Sequence, residues 1–317
     1  MRHLESSFTG KNNLWRYIIM IAAIFAAANT LGSLPFALVG IIAARSNPQA
    51  LPEISSNLNN LSQMGIDKNS MLVLMLIPFI VGVAAYMLLV KPLHERKFLS
   101  TITGSESFRW KRMFVSGAVW IFLMLIYLFV YLAIDPSNFR LNNNSASLIL
   151  LVFVSFLLIP FQAAFEEILF RGYLMQGFTL VVSKRFFPLL ATSVFFALMH
   201  SINPEVKEYG FLTVMPQYLT FGLIFGIVTI LDDGIETALG AHAANNIFLC
   251  IMVTQKSSAL QTEALYEQLN YNPWQELAGL LISGLIFILV MKAIFRMKDF
   301  SYLFGRVEKA GPEGQTL

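Results

Sequence analysis

The chain has 317 residues, of which 56% are hydrophobic and only 13% are charged. Soluble globular domains carry about 25% charged residues, and a mean hydropathy of +0.64 leaves more apolar surface than one soluble core can bury. These values exclude an ordinary soluble protein and predict one membrane domain with short tails. The net charge of +3 does not indicate nucleic-acid binding, and a single cysteine excludes an internal disulfide.

Eight apolar segments follow one another along the chain. A helix that crosses the bilayer needs about 20 mainly apolar residues, so these segments predict an all-α, polytopic bundle of about eight transmembrane spans. The predicted spans are 15–44, 71–90, 113–134, 147–170, 186–202, 212–231, 235–254 and 274–295.

Basic residues are concentrated in alternate loops, which indicates the orientation of the spans. The loop 91–112 and the tail after Val290 are rich in Lys and Arg, whereas Arg140 is the one basic residue of the loop 135–146. Cytoplasmic loops of membrane proteins carry an excess of these residues. Eight spans with both the N-terminus and the C-terminus in the cytoplasm satisfy that rule.

Ionisable side chains inside apolar spans cost at least about 2.5–3.5 kcal/mol each on insertion scales, so they mark candidate functional positions. The polar residues of interest within the predicted spans or at their ends are Glu166, Glu167, Arg171, His200, His242 and Asn246. His3 and His94 lie outside the functional spans, and we expect both to be solvated. Asp232 and Asp233 precede Gly234, and this pattern favours a solvated turn over a metal pair.

The adjacent glutamates are predicted to have different roles. Residues four apart share a helical face, so Glu167 and Arg171 are expected to pair. Glu166 then points elsewhere, without a local cation, and is the candidate base. The alternative for this segment is a polar cluster that caps the end of the helix.

The two histidines within spans are further candidates. Phe196 and His200 share one helical face, and so do His242 and Asn246. An imidazole and an amide on one face suit an oxyanion, which requires preorganised donors. The alternative for His242 and Asn246 is hydrogen bonding between helices. A base, two imidazoles and an amide on three helices would together suit a hydrolytic site.

Three motifs therefore stand, in chain order, each on its own predicted helical segment. They are Glu-Glu-x-x-x-Arg at 166–171, Phe-x-x-x-His at 196–200 and His-x-x-x-Asn at 242–246. This ordered set resembles the CPBP family, which comprises type II CAAX prenyl endopeptidases and bacteriocin-processing or self-immunity membrane proteins. The resemblance divides the chain into a three-span N-terminal region (1–147), a CPBP-like catalytic core (148–254), and a last span with a cytoplasmic tail (255–317).

The resemblance implies a CAAX-protease-like intramembrane endopeptidase. In it Glu166 activates water with the help of His200, while His242 and Asn246 stabilise the oxyanion. Glu167, Arg171 and Phe196 support the site. The family is often called a metalloprotease, and Glu166, His200 and His242 would be the zinc ligands. We favour metal-free water activation, because Asn246 suits an oxyanion better than a metal.

The expected partners are the lipid bilayer and a membrane-associated peptide, of CAAX, bacteriocin or signal type, with no nucleic acid. The expected location is the cell membrane of a prokaryote. The alternatives to a protease are a non-catalytic scaffold or self-immunity factor on the same fold, and a transporter whose carboxylate relays protons.

One geometric requirement follows from the predicted spans. Glu166 falls near the cytoplasmic end of the fourth span, and His200 falls near the far end of the fifth. The two can meet only if the fifth span starts deep in the membrane or if 172–187 folds back into it. We predict such a fold-back at 172–187, with water entering from the cytoplasmic side.

Overall fold

The structure, a computed structural model, describes residues 2–46, 66–143 and 145–309. The helices are α1 (Leu14–Ala27), α2 (Leu34–Ser46), α3 (Lys68–His94), α4 (Trp110–Ile134), α5 (Ser145–Glu167), α6 (Met175–Val181), α7 (Phe186–Met199), α8 (Pro204–Tyr209), α9 (Phe211–Asp232), α10 (Glu236–Met252) and α11 (Pro273–Phe295). Two π-helical segments, Ala28–Gly32 and Ile168–Leu174, follow α1 and α5. Short 3₁₀ turns lie at Glu5–Phe8, Phe98–Thr101, Pro136–Asn138 and Phe300–Phe304.

The helices confirm the predicted all-α membrane bundle. In the described parts of the chain, six helices are long and apolar enough to cross a membrane: Leu14–Ile42, Lys68–His94, Trp110–Ile134, Ala146–Val181, Phe211–Asp232 and Pro273–Phe295. They expose large apolar side chains such as Phe129, Ile149 and Leu285, as lipid contact requires. The two other predicted spans correspond to α7 and α10, whose 14 and 17 residues extend only about 21 and 26 Å.

The helix that carries Glu166 is longer than predicted. It continues through the π-helical segment to Val181, so Ala146–Val181 forms one apolar stretch of 36 residues. The predicted fold-back at 172–187 is therefore wrong. The polar residues at 166–171 resembled a helix end in the sequence, but the wider π-helical turn keeps them inside one continuous helix.

The connecting segments gather at two ends of the bundle. We call one the basic end; it contains residues 2–13, 95–109, 182–185, 232–235 and 296–309. Backbone hydrogen bonds join these segments, from Gly104 to Asp233 and from Val307 to Ser183. At the other end, the sheet end, β1 (Phe139–Leu141) pairs antiparallel with β3 (Tyr266–Gln268), and β3 pairs parallel with β2 (Val253–Thr254). The segment 200–210 also lies there, since Tyr209 contacts Tyr271.

Close helix contacts position the elements that carry the polar motifs. Helix α10 packs against α4 and α5, and α9 packs against α7 and α11. A Cβ atom at Gly240 would stand 2.0 Å from the Met113 carbonyl oxygen, so only glycine permits the contact of α10 with α4. Gly222 likewise lies against the backbone of Ser193, since small residues let neighbouring helices approach closely.

The expectation that His3 and His94 are solvated is wrong, because both side chains are fully buried at the basic end. The His3 ring donates through Nε2 to the Arg171 carbonyl oxygen at 2.9 Å, and Gln176 donates to its Nδ1 at 3.1 Å. His94 contacts the Tyr173 hydroxyl at 2.7 Å. The N-terminal segment therefore packs directly on the π-helical segment, a contact that sequence position alone does not reveal.

Burial lowers the pKa of the His3 imidazole, so the native protein holds it neutral while the unfolded chain takes up a proton below about pH 6.5. Its contribution to stability is present above that pH and is lost as the pH falls. We expect the thermal midpoint to fall more steeply between pH 7.5 and 5.5 in the wild type than in His3→Gln. Equal slopes in detergent-solubilised protein would contradict this linkage.

The turn at 232–234 is also more buried than predicted. Asp232 is 5% exposed, forms an ion pair with Arg112 and accepts from Thr237 at 2.6 Å. Arg109 joins the same group through Glu236, with 2.5 Å between Nη2 and Oε2. These arginines compensate the buried carboxylates and tie α4 to the connection between α9 and α10.

Candidate intramembrane hydrolytic site

Glu166 and His200 lie at the same depth because the helix through α5 and α6 extends to Val181. Glu166 stands about 22 Å along the helix from that residue, and His200 stands about 21 Å along α7 from Phe186. A four-residue connection, 182–185, reverses the chain between them. The longer helix thus brings Glu166 and His200 to the same depth, which was the reason for predicting a break.

The Glu166 carboxylate faces both histidines. Its Oε2 lies 3.8 Å from Nε2 of His200 and 3.7 Å from Nε2 of His242, and it has no hydrogen-bond partner. The side chain is also largely enclosed, since Glu166 is 8% exposed. The structure therefore brings together Glu166, His200 and His242, which come from three separate helical segments.

The hydrogen bonds on the far side of each ring define which atoms face Glu166. His200 Nδ1 lies 2.8 Å from the Phe196 carbonyl oxygen, and a carbonyl can only accept, so Nδ1 carries the proton. His242 Nδ1 lies 2.7 Å from Glu167 Oε1 and donates in the same way. When neutral, both rings present an Nε2 lone pair to the gap beside Glu166.

Three acceptor atoms around one gap suit a small donor such as water. A water molecule can donate to two of these atoms if its oxygen lies to one side of the line that joins them, about 2.8 Å from each. Ligands of a tetrahedral zinc ion with bonds of about 2.0–2.1 Å stand closer to one another, at about 3.3 Å. Among the described residues, no group of three His, Cys, Asp or Glu side chains is arranged to hold a metal ion.

Glu167 and Arg171 form the predicted pair behind His242. Arg171 Nη1 lies 2.9 Å from Glu167 Oε1, and both side chains are fully buried. The same carboxylate oxygen accepts from His242, so one group fixes both the ring and the guanidinium. An uncompensated charge would be costly in this setting, so the pair must form for the site to assemble.

Aromatic rings enclose these charged groups. Phe196, predicted to line the site, is 2% exposed, and the Arg171 guanidinium lies over its ring at 4.3 Å. Its centroid also lies 4.6 Å from that of His200. Phe225, which the sequence did not single out, stacks on His242 at 5.1 Å and 20°. In the sequence, the neighbours of Phe225 are apolar, so no local pattern distinguishes it from a residue that faces lipid.

Asn246 is held by polar neighbours that sequence reasoning missed. It donates through Nδ2 to Gln162 Oε1 at 2.8 Å, and Gln162 in turn donates to Glu166 Oε1. Asn245 donates to Asn246 Oδ1 at 3.0 Å and accepts from the indole of Trp120 at 3.2 Å. This chain orients the Asn246 amide and leaves one of its two Nδ2 protons for another acceptor. The i, i+4 spacing of Gln162 and Glu166 places them on one helical face, and this was the pattern in the sequence that could have identified Gln162.

Gln162 therefore connects the candidate base to the candidate oxyanion donor. We expect Gln162→Ala to lower kcat about 10-fold or more, because Glu166 and Asn246 each lose the contact that orients them. Gln162→Glu keeps an acceptor for Asn246 but places a second negative charge beside Glu166, and it should be at least as defective. A wild-type kcat for Gln162→Ala in a peptide-cleavage assay would contradict this role.

The six described helices that are long and apolar enough to cross a membrane define a polytopic integral membrane protein, and the buried polar cluster lies inside their bundle. Residues 145–248 match the family described as type II CAAX prenyl endopeptidase Rce1-like. The match confirms the resemblance predicted from the sequence: residues 145–248, about a third of the chain, are similar to the Rce1-like family. All the site residues discussed above except Trp120 lie within this range.

The similarity to one bacterial protein extends over most of the chain. YyaK of Bacillus subtilis (strain 168), an uncharacterized protein, is 28% identical over 280 residues, which cover 88% of this chain and 91% of the relative. No solved structure shows a significant match.

Proposed function

We propose that this protein is an intramembrane endopeptidase that hydrolyses a peptide bond in a membrane-associated substrate. The observation that supports this most is the unpartnered Oε2 of Glu166, enclosed and facing Nε2 of both His200 and His242. A scaffold or immunity protein has no need of a buried carboxylate whose free oxygen meets two imidazoles. The similarity of residues 145–248 to the Rce1-like family supports the same reaction class.

In the proposed reaction, Glu166 takes a proton from a water molecule that also donates to His200 Nε2. The water oxygen attacks the carbonyl carbon of the scissile bond, and the carbonyl oxygen becomes an oxyanion. Glu166 then passes its proton to the leaving nitrogen as the C–N bond breaks. The products are a carboxylic acid and an amine, so atoms and charges balance.

The oxyanion in this proposal is held by His242 and the free Nδ2 proton of Asn246. Neutral His242 presents a lone pair at Nε2, so in this proposal it donates as the imidazolium, having bound a proton from solvent before the reaction and keeping it throughout. The Glu167 carboxylate, at 2.7 Å from Nδ1, would stabilise that cation. This assigns Glu167 a second contribution beyond its ion pair with Arg171.

The proposed mechanism needs no metal, because a water molecule and four side chains supply all its proton transfers and charge stabilisation. We expect 1,10-phenanthroline to leave the cleavage rate of the purified protein unchanged. A loss of activity that zinc restores would instead assign Glu166, His200 and His242 as ligands.

The proposed substrate is a CAAX-type peptide or a bacteriocin-like or signal-like peptide, at the cell membrane of a prokaryote. The Bacillus subtilis relative supports the prokaryotic setting, and the excess of Lys and Arg at the basic end supports a cytoplasmic location for that end. The proposal involves lipid and peptide as partners and no nucleic acid.

The test compares membrane peptides by mass spectrometry in cells that carry the wild type, Glu166→Ala or Glu106→Ala. Glu106 is exposed at the basic end and serves as the matched carboxylate control. We expect at least one uncleaved peptide to accumulate with Glu166→Ala only. Identical peptide profiles, together with an unchanged cellular phenotype at equal protein levels, would support a non-catalytic scaffold or self-immunity factor instead.

A further inference from the structure

Among the described residues of its own segment, the His200 ring is supported by Phe196 alone, through the ring contact and the backbone carbonyl described above. His200 follows the last residue of α7, and two positions later Ile202 is 90% exposed. The hydrogen bond from Nδ1 to the Phe196 carbonyl fixes one atom of the ring but leaves rotation about that contact. The ring therefore needs a neighbour from another helix if Nε2 is to stay 3.8 Å from Glu166.

Tyr218 of α9 is that neighbour. Its ring stacks on the His200 imidazole with 4.3 Å between centroids and 21° between planes. The phenol is itself held at its far end. Its hydroxyl donates to Glu205 Oε1 and accepts from Asn203 Nδ2 at 2.9 Å.

Glu205 is a buried group that the proposed reaction does not use. It lies in α8 and is 8% exposed, and Asn203 donates to the same Oε1 at 3.3 Å. Among the described residues, its Oε2 has no hydrogen-bond partner. Burying a carboxylate is costly unless hydrogen bonds compensate for the lost water. The shortest hydrogen bond of Glu205 is the one from the Tyr218 hydroxyl.

We propose that Tyr218 is a positioning residue for His200, and that Glu205 and Asn203 hold the Tyr218 ring in the orientation that the stack requires. The series of side-chain contacts from Glu205 through Tyr218 to His200 connects the sheet end to the site. It rests on the proposed function only for its effect on catalysis, because the restraint on the His200 ring exists whether or not the protein cleaves peptides.

The first test measures that restraint without any substrate. Full-length protein in nanodiscs is treated with diethyl pyrocarbonate, and the modification rate of each histidine is followed by mass spectrometry. The chain has four histidines, and the buried His3, His94 and His242 serve as internal references. We expect Tyr218→Leu to raise the rate at His200 several-fold and leave the other three unchanged.

Two further variants separate ring stacking from general loosening. Tyr218→Phe keeps the ring and should give a smaller rise at His200 than Tyr218→Leu. Tyr209 and Tyr218 both pack against the cluster of Ala197, Val206, Val214 and Met215. The Tyr209 ring, however, contacts Tyr271. Tyr209→Leu should therefore give no rise at His200. An unchanged rate at His200 in Tyr218→Leu, or a rise at all four histidines, would overturn the proposal.

The second test is kinetic and uses an internally quenched peptide with a farnesylated CAAX end. Tyr218→Leu should lower kcat about 10- to 100-fold with little change in KM, because a displaced His200 misorients the water. In a His200→Gln background the same substitution should have almost no further effect. If the two substitutions lower kcat independently, so that their fold-changes multiply in the double variant, the positioning role is overturned. If His200→Gln itself retains full activity, the proposed function fails, while the labelling result still decides the restraint.

Discussion

Replacing Glu166 with glutamine is expected to lower kcat by about 10²- to 10⁴-fold, the range that a general base contributes. The amide has nearly the same shape and can still accept from Gln162, so the change removes proton transfer and little else. The measurement is steady-state cleavage of the quenched farnesylated peptide, and of the same peptide without the farnesyl group, by full-length protein in nanodiscs.

The control for this variant is Glu106→Gln, an equally conservative change at an exposed carboxylate outside the helices. It should keep the wild-type kcat with both peptides. Cleavage of the farnesylated peptide alone would identify a prenylated CAAX end as part of the recognised group. A Glu166→Gln protein that is folded and as active as the wild type would remove Glu166 from the proposed chemistry.

The largest expected effect on stability is at Arg171. Arg171→Leu leaves the fully buried Glu167 carboxylate without its cation, and breaking a buried pair in this way costs about 3–5 kcal/mol. We expect a corresponding fall in the free energy of unfolding, measured by titrating the detergent-solubilised protein with sodium dodecyl sulfate. Loss of the folded protein altogether would be the extreme of the same result.

A second substitution distinguishes lost charge compensation from lost packing. Arg171→Met combined with Glu167→Gln removes both charges, keeps similar volumes and leaves an acceptor for His242 Nδ1. It should recover much of the stability that Arg171→Met alone loses. If the double variant is less stable than the single one, packing against Phe196 and not charge compensation dominates at Arg171.

The membrane setting explains why so much of the fold was predictable. Backbone groups in lipid must pair within their own segment, so apolar stretches of sufficient length become helices. Each of the eight predicted spans overlaps helical structure, although only six of the described helices are long and apolar enough to cross a membrane. The same cost of burial made Glu166, His200 and His242 conspicuous, and the i, i+4 rule paired Glu167 with Arg171.

The misplaced features share a different cause, because they depend on contacts between distant parts of the chain. His3 has a terminal position, yet its ring bonds the Arg171 carbonyl across 168 positions of sequence. No local pattern predicts that contact, or the stacking of Tyr218 and Phe225 on the histidines. The continuation of the α5 helix to Val181 was missed for a local reason, since Arg171 and Gly172 imitate a helix end.

The shortness of α7 has a consequence for the surrounding lipid. The helix exposes apolar side chains along its outer face, from Phe186 to Met199, but it is only about 21 Å long, whereas a typical hydrocarbon core is about 30 Å thick. Hydrophobic mismatch of this kind is relieved when the bilayer thins locally. The thinned patch would adjoin His200, which shortens the path of water to the site. We therefore expect cleavage to be faster in vesicles of short-chain lipids than in long-chain ones.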